Sequence, residues 1–200
     1  TGGNETIGSL TGAGAVSLSY GLTVGNASNT VFSGVISSTN TSGITKVGSG
    51  TLTLSGVNTY TGSTTVSAGR LLLENGSAIA DANVVTVNAG AELELRGSEV
   101  VGSLAGAGTL TLNGGSLTTG GNNTSTTFAG VIQDGGNGGG LTKAGAGTLT
   151  LSGSNSFAGT TSVVSGVLSV SADANLGAAT LTLNGGTLHI TGNDANIDNA

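Results

Sequence analysis

The stretch Gly48-Ser49-Gly50-Thr51-Leu52-Thr53-Leu54-Ser55-Gly56 decides the fold. It returns as Gly145-Ala146-Gly147-Thr148-Leu149-Thr150-Leu151-Ser152-Gly153, and more briefly as Gly106-Ala107-Gly108-Thr109-Leu110-Thr111-Leu112-Asn113-Gly114. Each copy is a turn of small residues, then strict polar–apolar alternation, then another turn. Alternation with a period of two describes a strand with one buried face, so Leu faces a core and Thr faces outward.

Working outward, the pattern of two apolar residues separated by one recurs at Val16, Leu52, Leu71, Leu93, Leu110, Leu149, Leu168 and Leu188, and Phe32 and Phe128 stand in the two long gaps. The mean spacing is about 19 residues, close to one turn of a parallel β-solenoid with two or three strands per turn. Second strands are expected between these, among them Leu22–Val24, Ile44–Val47, Thr64–Val66, Val85–Val87, Val101–Leu104, Leu141–Lys143, Ser162–Val164 and Leu181–Leu183. A longer repeat overlies the short one. Ile44-Thr45-Lys46 matches Leu141-Thr142-Lys143, and Asn58-Thr59-Tyr60-Thr61-Gly62 matches Asn155-Ser156-Phe157-Ala158-Gly159, both at an offset of 97 residues. The expectation is one domain of about ten rungs, ~45 Å long, made of two approximate five-rung repeats over 1–97 and 98–200.

A single rung cannot bury its Leu pair, so stacking is what makes a core. The residues expected to form that ladder are Leu52, Leu54, Leu71, Leu73, Leu93, Leu95, Leu110, Leu112, Leu149, Leu151, Leu168 and Leu188, each contributing roughly 1.5–3 kcal/mol on burial. The composition agrees: 39 Gly, no Pro, Met or Trp, and 2% aromatics. Near-identical layers in a narrow bore have no use for large rings, and the corners need Gly and Asn, which reach left-handed conformations easily.

The net charge is −6 and the only strong bases are Lys46, Arg70, Arg96 and Lys143. They form no cluster that neutralises a row of phosphates, which argues against nucleic-acid binding. No apolar run approaches the ~20 residues of a membrane helix. The absence of Cys excludes disulfides and thiolate metal sites. The chain begins and ends inside the repeat texture, as expected of a fragment of a longer protein.

Candidate chemistry is sparse. Glu92 and Glu94 flank Leu93 and form the one carboxylate pair spaced for glycoside hydrolysis, but a solvated strand face is the expected role. His189, the only His, has no partner that spacing assigns. Gly135-Gly136-Asn137-Gly138-Gly139-Gly140 is similar to a calcium-binding nonapeptide but lacks the ligand Asp and is not repeated. It reads as a flexible loop interrupting the solenoid, and Gln133, Asp134 and Asn137 are the expected contact residues there. The outward pairs Thr51/Thr53, Thr109/Thr111 and Thr148/Thr150 are interrupted by other residue types, which disfavours an ice-binding array. No catalytic residue, cofactor or metal site is assigned.

The 22 residues Gly50-Thr51-Leu52-Thr53-Leu54-Ser55-Gly56-Val57-Asn58-Thr59-Tyr60-Thr61-Gly62-Ser63-Thr64-Thr65-Val66-Ser67-Ala68-Gly69-Arg70-Leu71 resemble the passenger-associated strand repeat of bacterial autotransporters, with a second copy over Gly147–Leu168. The resemblance implies a right-handed parallel β-helix exported to a Gram-negative cell surface, and a C-terminal membrane barrel that is not in this chain. The expected function is a non-enzymatic, structural passenger stalk supporting adhesion or self-association, as in aggregation, biofilm and virulence. The expected partners are a second copy, meeting laterally or end to end, or a host or surface polymer. The competing readings are a carbohydrate-active β-helix enzyme and an ice-binding solenoid.

Overall fold

The computed structural model describes residues 3–178 and 180–192. The chain winds as a parallel β-solenoid with three faces. Face A is a ten-stranded parallel sheet running from Glu5–Ile7 to Thr187–Ile190, so nine turns separate its first and last strands. Face B is a six-stranded sheet from Thr30–Phe32 to Val131–Gln133. Face C has a two-stranded sheet, Ala15–Leu18 on Val35–Ser38, and later a five-stranded sheet from Glu99–Val101 to Leu181–Leu183. The one helical element among the described residues is a 3-10 turn, Asp173–Asn175.

Every strand pairing among the described residues is parallel and joins one turn to the next. Leu52 pairs with Leu71, Leu71 with Leu93, Leu93 with Leu110 and Leu110 with Ile132. Of the expected ladder residues, all but Leu188 are at most 2% exposed. Leu188 packs against the core while partly buried, in the last described strand. Phe32, Tyr60, Phe128 and Phe157 also lie inside, so the bore admits a ring in some layers.

Two expectations are corrected. The Leu strands do not form one continuous ladder. From Phe32 to Leu110 they occupy face B, whereas Phe128, Leu149, Leu168 and Leu188 stand on face A. The handover lies between Leu110 and Phe128: Leu110 is followed on its own face by Ile132, and Phe128 meets Leu151. As a result Ile44–Lys46 lies on face A and its counterpart Leu141–Lys143 on face C, four turns and two faces further on. Second, Val101–Leu104 is not one strand. The chain turns a corner at Gly102, dividing Glu99–Val101 from Ser103–Gly106. A Cβ at Gly102 would sit 2.3 Å from the Ala82 carbonyl oxygen, so only Gly lets the chain bend there against the turn below.

Truncation of Leu71, which has Leu neighbours above and below, should leave a cavity that rigid rungs cannot collapse. Leu71→Ala is expected to cost about 2–5 kcal/mol, read as a lower urea midpoint in equilibrium unfolding; an unchanged midpoint would mean this layer is not packed as described.

Candidate functional site

Face B carries Arg70, Glu92 and Glu94 in two outward columns. The first runs Thr51, Arg70, Glu92, Thr109, Val131 and the second Thr53, Leu72, Glu94, Thr111, Gln133. The third Thr pair, Thr148/Thr150, lies on face A beside Val167 and Ser169. The three Thr pairs therefore do not all share one face and none stand on consecutive rungs, and Thr53 and Thr111 are buried.

The solvated strand face expected for Glu92 and Glu94 fails for Glu94, while Glu92 stays partly exposed. Glu94 is 2% exposed despite its outward position. Its carboxylate accepts from Arg70 Nη1 at 2.5 Å, Arg96 Nε at 3.1 Å and Asn113 Nδ2 at 2.9 Å. Burial alone would raise this carboxyl. The Asn113 amide and the two guanidinium groups outweigh burial and hold it below the usual Glu value. Glu92 Oε1 accepts from Thr111 Oγ1 at 2.7 Å. A general acid must keep its proton near the working pH, and Glu94 is held in the opposite state. The pair joins neighbouring rungs as a polar clamp.

The loop after Val131–Gln133 is tied to this cluster, which corrects the expectation of a flexible loop. Gln133 Nε2 donates to Thr111 Oγ1 at 3.1 Å, and Asn137 Nδ2 donates to Asn113 Oδ1. Asp134 Oδ1 accepts from the Gly136 amide and Oδ2 from the Ala158 amide, both at 2.9 Å. These two amides hold its carboxyl below the usual Asp value. The three expected contact residues are therefore brought together, with their side chains spent on fastening the loop to adjacent turns.

Sequence reasoning missed the buried polar groups. Lys46 and Lys143, equivalent in the long repeat, are each 1% exposed. Lys46 Nζ donates to the carbonyls of Val47, Gly48 and Ala68 at 2.8, 2.9 and 3.1 Å. Lys143 Nζ serves Ala144, Gly145 (2.8 Å) and Ser165 (3.3 Å). Burial lowers the pKa of both amines. The conserved spacing in the two copies was the available signal, since both Lys close an apolar-Thr-Lys triplet just before a Gly-rich corner.

A second polar series bridges turns where a face lacks a strand, at Asn58 on face C and at Asn155 on face B. Asn58 Oδ1 accepts from the Ile36 amide at 2.7 Å and Asn58 Nδ2 donates to the Ala78 carbonyl at 2.8 Å. Asn155 repeats this, accepting from the Ile132 amide at 2.7 Å and donating to the Asn175 carbonyl. Glu99 takes the accepting role one turn on from Ala78, receiving the amides of Ile79 at 2.8 Å and Ala78 at 3.3 Å. It is 1% exposed. Burial pushes its pKa up to about 7 against those two amides, with Asp81 adding repulsion. Tyr60 is also buried, its hydroxyl 2.6 Å from Thr64 Oγ1, and burial raises its pKa too. His189, in contrast, is exposed in the last described strand, beside Ser169.

The family model of the passenger-associated transport repeat matches residues 44–73 and 141–170. Both matched stretches hold the buried Lys, the bridging Asn and the buried ring described above. Curated proteins and solved structures yield no match to the chain.

The folded-state pKa of Glu99 lies above its ordinary value of 4.5. The buried acid therefore favours folding fully below about pH 4.5, and this contribution is lost as pH rises through about 7. Unfolding free energy from urea titrations should include a decline of roughly 2–3 kcal/mol between pH 4.5 and 8 that Glu99→Gln abolishes. Equal pH slopes in the two proteins would contradict this assignment.

Proposed function

We propose that this chain, which carries two passenger-associated transport repeats, is a rigid stalk segment of an autotransporter passenger, exported and displayed at a cell surface, where it supports adhesion or self-association. The observation that carries the reading is the unbroken ten-stranded ladder of face A. Nine steps of about 4.8 Å give a rod ~43 Å long, braced on its outside by Glu94 and at its corners by Lys46 and Lys143. Such a body resists bending and holds whatever it carries at a fixed distance.

The flanks suit weak, repeated contact. They are rich in Thr, Ser and Asn, and apolar Val31, Val35 and Val57 are about half exposed near one edge. One such contact is feeble, but rods aligned side by side make many at once, and linkage multiplies them. The partner in this reading is a second copy or a surface polymer, and the role is structural rather than catalytic.

The test uses cells displaying the full passenger. Those cells should clump and settle faster, and coat abiotic surfaces more densely, than cells with the passenger deleted. Identical settling and coating would refute the adhesive role.

A further inference from the structure

One ring of five escapes the core. Phe32, Tyr60, Phe128 and Phe157 are at most 2% exposed, whereas Tyr20 is 49% exposed. It stands at the edge of a groove of about 370 Å³ that crosses several turns where face C meets face A. This volume falls within the roughly 300–1,000 Å³ of small-ligand pockets. The walls include Asn4, Ser19, Asn40, Thr41 and Ser63, with Gly21 and Gly43 among the residues lining it.

Gly43 and Gly21 let the turns that form the groove meet closely: a Cβ at Gly43 would lie 2.0 Å from the Ser63 carbonyl oxygen, and one at Gly21 would lie 2.9 Å from Asn4 Oδ1. Asn40 fixes a wall, donating to the Ser19 carbonyl at 2.6 Å and accepting from the Ser42 amide at 3.0 Å. Asn4 Oδ1 accepts from the Gly21 amide at 3.0 Å, which aims its NH2 group. The corner carbonyls of Gly21, Gly43 and Ser63 are taken by the amides of Glu5, Leu22 and Ile44. Recognition therefore falls to side chains. Asn4 Nδ2, the Tyr20 and Thr41 hydroxyls and Ser63 Oγ make no hydrogen bond among the described residues.

We infer that this groove binds a neutral oligosaccharide, with the Tyr20 ring as the stacking platform and Asn4, Thr41 and Ser63 as hydroxyl partners. An aromatic face packs against the apolar C–H face of a pyranose while its hydroxyl remains wet. Amide and hydroxyl groups exchange hydrogen bonds with sugar hydroxyls in both directions. No Asp, Glu, Lys, Arg or His lines the groove, so it offers nothing to pair with an acidic sugar. Successive turns repeat the polar groups at ~4.8 Å, close to the advance per residue of an extended hexose polymer. An extended peptide would seek a free strand edge, and here the backbone is already paired.

The test is an amide-resolved NMR titration of the chain with cellohexaose, maltohexaose, chitohexaose and polygalacturonate. At least one of the three neutral oligosaccharides should shift the amides of Tyr20, Thr41 and Ser63 together. Tyr20→Ala should weaken that binding by about tenfold or more, and Tyr20→Trp should retain it. Circular dichroism confirms that both variants stay folded. The inference is overturned if none of the neutral oligosaccharides shifts these amides, if polygalacturonate binds there equally well, or if Tyr20→Ala binds as the parent does. The site does not rest on rod association: clumping without saccharide binding, or the reverse, separates the two.

Discussion

The structure depends on how closely one turn must approach the next. Parallel strands stack at about 4.8 Å, and at the corners this brings backbone against backbone. A Cβ at Gly56 would lie 1.9 Å from the Gly34 carbonyl oxygen, and one at Gly153 would lie 1.8 Å from that of Gly130. Glycine there is a condition of stacking. Once the corners can meet, the Leu between them are pressed onto the layer above and below, and the hydrophobic core follows.

The same spacing governs the polar interior. Wherever a face lacks strand pairing, its backbone groups still need partners, because buried amides and carbonyls without them are costly. Asn58, Asn155 and Glu99 supply those partners from one turn to the next. Lys46 and Lys143 do the same for carbonyls that converge at the corners. These side chains replace the strand ladder where no strand forms, and Lys46 and Asn58 have their counterparts in Lys143 and Asn155 at equivalent positions of the two matched stretches.

Much of this was legible in the sequence. Alternation around Leu52 and Leu54, and its recurrence near every 19 residues, led directly to a parallel solenoid with a Leu core. Two things were not legible. Periodicity counts residues, not faces, so the passage of the Leu strands from face B to face A between Leu110 and Phe128 leaves no mark in the spacing. Alternation also assigns a side, not an exposure. Glu94 points outward as the pattern requires, yet Arg70, Arg96 and Asn113 from this and neighbouring turns cover it. For the same reason the loop at Gln133, Asp134 and Asn137 looked free in sequence, although its partners Thr111, Asn113 and Ala158 come from the turns on either side.

The central claim is that equivalent strands of the two repeats lie on different faces of one continuous solenoid. The chain has no Cys, so paired Cys substitutions read the register directly. Thr109 and Val131 are Cα partners on face B, at a separation that a disulfide spans. The doubly substituted Thr109→Cys, Val131→Cys protein should cross-link on oxidation, and the Thr109→Cys, Thr127→Cys protein should not. The opposite outcome would place Phe128 above Leu110 in a single uninterrupted ladder and contradict the account.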